Sequence, residues 1–518
     1  MNKAFCNTCQ KLVPVEPVER DGHIFLAKQC PDCGTSETYI SNNAERYFSK
    51  RKLDVDYEYA PCELHCKSCG HRQVINAAFV NVTNRCNANC PICFDNVPGL
   101  GFEYEPPMEY FEKLFKGLAE LSPPPSVNLF GGEPTVREDL FDIIKLAKSN
   151  HLRVRLYTNG LKLANEEYCK KLADSKVHII FSYDGSNPNT YEQLRGNAKF
   201  GDLKRKGIDN IGKYLRRGRI SVIWVMSKDL NEGCIEEFMD FFHERRDFIG
   251  QVYIMPLCHT WSHTDWNFNP SRITTEDIED IVAKAFPDYN INFLPLGFVN
   301  QLASLAAVLG KARYGAHPNC ESLYYLLSDG EKYVPMEHYL KGTAPEAAAS
   351  VLKLEKRLAA REERWKKSVF GRLLGGLHLR NFTLRMLAFA AGLSLVRRHV
   401  KLTSVLEGKG IGKLWHLIAL PVELAFRKKG RVAMRRHTRI KKSLMMIVLP
   451  LEDKQKLETD RLQRCPTAQA YYDPREEKVK FISMCSWKLF NKEVLRSIAD
   501  YYAAQAPPKE AGNRALAT

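Results

Sequence analysis

Long apolar runs are missing from this chain. Its most apolar stretches, Met386–Val396 and Leu414–Val422, end within about eleven residues, where a membrane-spanning helix needs roughly twenty, so no crossing is expected. There is no apolar leader either, which predicts a cytosolic protein rather than one exported to a disulfide-forming compartment. Acid is nearly absent from one segment: residues 366–442 carry 19 Lys and Arg against two acids, Glu407 and Glu423, a local balance of +17. The whole chain of 518 residues carries +16, so everything outside that segment sums to about −1. The basicity therefore belongs to one segment, and so should its partner.

Cysteine is what the chain has in plenty. Most of its 16 cysteines fall in close groups (6/9, 30/33, 62/66/69 and 86/90/93), the pattern of metal ligation more than of a disulfide framework. Cys6-x2-Cys9 and Cys30-x2-Cys33 form two knuckles suited to a tetrahedral four-thiolate site in a small domain, residues 1–45. Spacing does not choose the metal: a structural zinc ribbon is favoured, and a rubredoxin-like iron is the alternative. Cys62-x3-Cys66-x2-Cys69 in residues 46–77 predicts an iron–sulfur cluster, with His71 more a hydrogen-bonding residue than a ligand. Cys86-x3-Cys90-x2-Cys93 can hold three corners of a four-iron cube and leave one iron open for a small molecule's amine and carboxylate. Cys320, Cys465 and Cys485 are candidate ligands of a further cluster, and Cys258 a possible fourth; Cys169 and Cys234 are expected in the core.

From residue 78 to 260 short β-branched runs alternate with helical patterns. The runs are Phe79–Thr83, Val127–Phe130, Arg153–Tyr157, Val177–Tyr183, Ile220–Met226 and Val252–Met255; helical spacing fills Glu109–Leu121, Glu138–Asn150, Glu166–Ser175, Leu203–Arg216 and Glu232–Arg245. That alternation predicts an α/β fold, a partial (β/α)6 TIM-type barrel with its site at the strands' C-terminal ends. Gly131-Gly132-Glu133-Pro134-Thr135 follows the second strand, Asn159-Gly160 the third, and Ser182 and Asp184 the fourth. The competing reading of Asn159-Gly160 and Asp184-Gly185 is turn chemistry. Arg195 either pairs with a cofactor carboxylate or is a solvated surface residue.

Residues 261–345 are expected as a helix-and-loop extension of the barrel, containing His317-Pro-Asn-Cys320. Residues 346–445 then form a helical insertion whose basic part carries Arg380, Arg385, Phe382, Phe389, Trp415 and Phe426, with Pro421 expected to interrupt its second run. Cations flanking short apolar stretches suit an anionic membrane surface. A solvated helical cap and an RNA-binding patch are the alternatives. Residues 446–503 carry the last cysteines, and 504–518 read as a disordered tail.

Cys86–Cys93 and Gly131–Thr135 together resemble the radical S-adenosylmethionine superfamily, whose glycine-rich strip receives the cofactor's methionine amine. The resemblance implies that Cys86, Cys90 and Cys93 hold the catalytic [4Fe-4S] cluster. It also implies that Gly131, Gly132, Glu133, Pro134, Thr135, Asn159, Ser182 and Asp184 surround S-adenosylmethionine. The order of parts further resembles the archaeal tetraether synthase family, earlier described as class D radical methyltransferases. These parts are the four-thiolate site, Cys62/Cys66/Cys69, Phe130-Gly-Gly-Glu-Pro-Thr-Val-Arg137, His317-Pro-x-Cys320, and Cys465 with Cys485. That likeness covers residues 1–345 and 445–490. It implies auxiliary [4Fe-4S] clusters, iron rather than zinc at the N-terminal site, and coupling of two lipid hydrocarbon tails through a C–C bond. An electron donor such as ferredoxin or flavodoxin is then expected, with the protein peripheral at the inner face of the membrane and nucleic acid not its partner. Methyl transfer to a soluble pterin-like aromatic and RNA modification are the rival activities. The chain departs from the family at Tyr157-Thr158, Glu321, Tyr471-Tyr472 and Ser486-Trp487, which puts the substrate more in doubt than the radical chemistry.

Overall fold

In the computed structural model the described residues are 2–53, 61–69, 71, 74–95, 99–215, 220–259, 268–302, 316–367, 377–426 and 430–505. The first of two sheets is a small antiparallel one of four strands in sequence order, β1 (Lys3–Phe5), β2 (Leu12–Arg20), β3 (His23–Cys30) and β4 (Gly34–Ser41). A domain this thin buries little: one side packs Ala4, Val15 and Leu26, and Cys6, Val13 and Cys30 form a separate small cluster. Something beyond apolar burial must hold it, and the four thiols occupy that position.

The second sheet carries the rest. Strands β5 (Ala77–Thr83), β6 (Ser126–Gly131), β7 (Arg153–Thr158), β8 (His178–Ser182), β9 (Ile220–Met226) and β10 (Ile249–Pro256) lie side by side in sequence order, all parallel. Helices connect them, including Met108–Ala119, Leu140–Ser149, Glu166–Asp174, Phe200–Tyr214 and Ile235–Glu244. Their apolar faces meet the strand residues that point outward from the barrel, such as Val80, Leu129, Leu156, Val222 and Ile254, all fully buried. This is the partial barrel expected from the alternation.

Both edges of the six-strand unit are extended. Strand β12 (Ser322–Ser328) pairs with β14 (Lys442–Val448), which lies parallel to β10. At the other edge β15 (Thr467–Asp473) runs parallel to β5 and pairs antiparallel with β16 (Lys478–Ser483). Strands β11 (Leu294–Pro295) and β13 (Tyr333–Pro335) each pair with β12. Residues 261–345 are thus not a helix-and-loop extension alone. The alternation of Ser322–Ser328, with every second residue buried, supplies a strand that the pattern of single residues had not separated from its loops.

The basic segment is helical over Leu377–His399, Ile411–Phe426 and Gly430–His437. Pro421 does not interrupt its run but lies inside the helix Ile411–Phe426. It sits near the end, where losing one backbone donor leaves only a late turn unsupported. No helix among the described residues is long and apolar enough to cross a membrane. The side chains of Arg380, Phe382, Arg385 and Phe426, and the tail from residue 506, lie outside the described residues. The last helix, Met484–Gln505, packs Trp487, Val494, Leu495 and Ile498 into the core beside β15 and β16.

Candidate active site

The C-terminal ends of β5, β6 and β7 converge. Strand β5 runs directly into the loop bearing Cys86, Cys90 and Cys93, whose short turn is closed by the Cys93 amide donating to the Cys90 carbonyl at 3.1 Å. Strand β6 ends in the Gly131–Thr135 strip, which is stitched to that loop. The Gly132 amide donates to the Thr83 carbonyl at 2.7 Å and the Glu133 amide to the Arg85 carbonyl at 2.8 Å. Glycine is required here: a Cβ on Gly132 would stand 2.1 Å from the Arg85 oxygen, and Gly131 has a φ of +118°. Three thiols on one loop beside a backbone strip free of side chains fit an iron–sulfur cluster with a chelating small molecule. The Cys86 thiol is pushed up to about 12, first by desolvation and then by the Glu133 carboxylate and the Cys90 and Cys93 thiols.

Several residues expected at the cofactor have other primary duties. The buried Glu133 carboxylate accepts from the Thr135 amide (3.1 Å) and hydroxyl (2.6 Å), the Thr158 hydroxyl (2.8 Å) and the Asn159 amide (2.6 Å). It clasps the β6 and β7 ends together. The Asn159 side chain faces the cysteine loop, donating to Asn87 Oδ1 at 2.8 Å and lying 3.9 Å from Cys86 Sγ. Asp184 is fully buried and is gripped by Arg195 Nε (2.8 Å), Arg195 Nη2 (3.0 Å) and the Val225 amide (3.1 Å). Arg195 is therefore not a solvated surface residue, and the edge of its guanidinium that meets Asp184 is already engaged. The Asp184–Arg195 pair is a unit, and its guanidinium lies near Cys90. Ser182 offers its hydroxyl and carbonyl to Lys204 Nζ, each at 3.1 Å. Burial, followed by the Arg195 charge, lowers Lys204 to about 8. Sequence reasoning missed Lys204, and nothing separates it from the lysines around it in the helix Phe200–Tyr214.

Below this rim the barrel interior is aromatic. Phe79, Phe130 and Tyr157, on neighbouring strands, form a triangle with ring centroids 4.9 to 5.9 Å apart. Tyr253 stands across from them beside Arg155 and Gln251. Glu321 is near both tyrosines, and desolvation raises its carboxyl to about 7. On β6, two residues before Phe130, Asn128 is 1% exposed, with no hydrogen-bond partner among the described residues for either its amide nitrogen or its oxygen. A buried amide with both ends unpaired is costly unless something else binds it. An Asn within the otherwise apolar run Val127–Phe130 was the signal that could have found it.

Three other cysteine groups surround the site. Only Cys6, Cys9, Cys30 and Cys33 place their sulfurs within 4.8 Å of one another among the described residues, the closeness of a single-ion site. Cys62, Cys66 and Cys69 lie near one another, with Cys66 against the Ser486 hydroxyl at 3.5 Å. His71 Nε2 donates to the Cys465 carbonyl at 2.8 Å, so that nitrogen ties this motif to the next one and is not free to bind metal. Cys320, Cys465 and Cys485 influence one another, and Cys258 lies near Cys485; desolvation drives all four thiols upward. His317 anchors Cys320: its Nδ1 accepts from the Asn319 amide at 3.2 Å, and its Nε2 meets Asp460 at 3.2 Å. Burial lowers the imidazole to about 3, so it stays neutral. Cys169 is fully buried in the core, and Cys234 packs at its margin.

Residues 80–242 match the family described as the Radical SAM superfamily, and residues 2–42 that described as the HMPTM N-terminal zinc ribbon domain. The second match supports the zinc-ribbon reading of the N-terminal cysteines over the iron implied by the family resemblance. A 7,8-dihydro-6-hydroxymethylpterin dimethyltransferase from Methanocaldococcus jannaschii is 31% identical over 358 residues, covering 65% of this chain and 70% of that protein. Mycofactocin maturase MftC of Mycolicibacterium smegmatis is 34% identical over 98 residues, 19% of this chain and 25% of that one. Among solved structures, SuiB of Streptococcus suis bound to S-adenosylmethionine is 14% identical with a TM-score of 0.35, covering 53% of this chain and 69% of that one.

Proposed function

The chain belongs to the radical S-adenosylmethionine superfamily, in the family of the pterin dimethyltransferase described above, and on that premise we propose that it forms a carbon–carbon bond at an unactivated carbon held inside the barrel. Cys86, Cys90 and Cys93 would hold the [4Fe-4S] cluster, and the Gly131–Gly132 backbone would take the methionine end of the cofactor. Bound there, cluster and cofactor would supply hydrogen-atom abstraction from the acceptor, with 5′-deoxyadenosine as the co-product. Glu133 fixes the strip, Asn159 orients the loop, and Asp184 holds the Arg195 guanidinium in place near Cys90. The observation that carries this reading is the stitching of the three-thiol loop to the glycine strip at the ends of parallel strands.

For the acceptor, the aromatic triangle, the unpaired Asn128 amide and the protonatable Glu321 favour a flat heteroaromatic with hydrogen-bonding edges. That agrees with a relative named for methylating a pterin. Methyl transfer to a pterin-like acceptor is accordingly the first reading. The coupling of lipid tails is the second, favoured by one observation: an apolar helix stripe exposed on the basic segment. The test is anaerobic incubation of reconstituted protein with S-adenosylmethionine and reductant, with either dihydro-hydroxymethylpterin or total lipid extract, read by mass spectrometry. A pterin heavier by one or two methyl groups, appearing with deoxyadenosine, supports the first reading. A lipid at the summed mass of two tails less two hydrogens replaces it with the second. Absence of deoxyadenosine in every arm refutes both.

A further inference from the structure

The helix Ile411–Phe426 is turned inside out for a water-soluble protein. Ile411, Leu414, Trp415, Ile418 and Val422 recur at three- and four-residue spacing, which places them on one stripe roughly 100° wide. That stripe faces solvent: Ile411 is 88% exposed, Trp415 66% and Ile418 58%. The polar residues point the other way. His416 Nδ1 lies 2.9 Å from His437 Nδ1, Glu423 pairs with Arg436 at 2.7 Å, and Lys413 donates to the Thr403 carbonyl at 2.6 Å. A helix that spends its polar groups inward and its apolar groups outward has a partner for the outward face.

The charge of the segment selects that partner. Arg397, Arg398, Lys409, Arg435 and Arg439, all in the same basic segment, are exposed. Both acids of the segment are already engaged, Glu407 with Lys441 at 2.6 Å and Glu423 with Arg436. We propose that this face docks on an anionic lipid bilayer, the stripe entering the headgroup–acyl boundary while the cations meet lipid phosphates. A second copy of the chain would bring two strongly positive surfaces together, which charge opposes. A nucleic acid would use the cations and leave the Ile, Leu and Trp stripe wet. The proposal rests on neither choice of acceptor, since a surface-docked enzyme can meet lipid tails or a soluble substrate.

The test uses the full-length reconstituted protein in flotation with vesicles of phosphatidylcholine, alone or with about one-third phosphatidylglycerol. The expected result is binding to the mixed vesicles at least about tenfold tighter than to neutral ones, weakening as salt shortens the screening length. Trp415→Glu with Ile418→Glu should weaken that binding at least about tenfold, and Lys409→Glu with Arg439→Glu should remove its preference for anionic lipid. Deoxyadenosine formation without vesicles should be unchanged in both variants, which separates failure to dock from failure of the radical chemistry. Three results would overturn docking: equal binding to both vesicle types, binding untouched by either double variant, or a dimer abolished by Trp415→Glu with Ile418→Glu and no vesicle binding. Tight RNA binding with indifference to vesicles would overturn it as well.

Discussion

Removing the carboxylate of Asp184 should unsettle the site more than any other single change at its rim. The side chain is 0% exposed, Arg195 is 13% exposed, and two hydrogen bonds of 2.8 and 3.0 Å join them. Breaking a buried pair by deleting one partner costs about 3–5 kcal/mol, mainly because the other charge is stranded. Asp184→Ala also orphans the Val225 amide, so about 4 kcal/mol is expected for it. Arg195→Ala strands the carboxylate but opens a partly wetted space, and about 3 kcal/mol is expected. Deleting both leaves no stranded charge, so the double variant should lose about 4 kcal/mol and not about 7. Anaerobic urea unfolding of the reconstituted protein, followed by circular dichroism, measures all four corners. Arg195 holds Asp184 below the usual carboxylate range although burial alone would raise it. Its stabilisation is therefore complete above the unfolded carboxyl's value of about 3.9 and is lost as pH falls through the lower folded value. The coupling should be full at neutral pH and shrink only in strong acid. Additivity of the two single variants to within about 0.5 kcal/mol would refute the pairing argument.

Cys90→Ala should bring deoxyadenosine to background and lower the iron content by about one four-iron cluster, as measured by product quantitation and metal analysis. Cys33→Ser should release the single ion of the N-terminal ribbon while deoxyadenosine formation persists; elemental analysis of that ion as zinc or iron also decides between the two readings of the site. Lys50 is buried between Glu276 (2.8 Å) and Glu279 (2.5 Å), so Lys50→Met should cost about 3–5 kcal/mol in urea unfolding. Adding Glu276→Gln and Glu279→Gln should restore much of that loss. Glu321 is raised to about 7 from an unfolded value of about 4.3, so the parent loses stability as pH rises between those values. The advantage of Glu321→Gln should grow across that window and then level off; a constant difference between pH values of about 5 and 8 would place the carboxyl elsewhere.

The six parallel strands were legible because each is a run of β-branched residues between amphipathic helices, and three-residue cysteine spacings announce their own chemistry. What was hidden came from long-range pairing. Nothing local marks Lys442–Val448 or Thr467–Asp473 as neighbours of β10 and β5, because parallel register is fixed by partners hundreds of residues away. The pairing of Asp184 with Arg195 was hidden for a similar reason: eleven residues separate them, and only the fold brings the carboxylate and the guanidinium together. Asn128 and Lys204 gave weak signals or none, since one polar residue in a strand or one lysine on a helix acquires meaning from burial alone.

The pairing of the last strands with both edges of the barrel has a consequence for how the protein is made. A ribosome delivers the residues of β5 to β10 long before those of β14 and β15, with the basic helices emerging in between. During that interval the half-barrel presents two bare edges, the most adhesive surfaces a sheet can show. Cys465 emerges just before β15, and Cys485 only after β16. A transcript broken between the barrel's sixth strand and Cys485 would therefore yield a chain able to begin folding, but with an edge of its barrel left bare or its last cysteine missing.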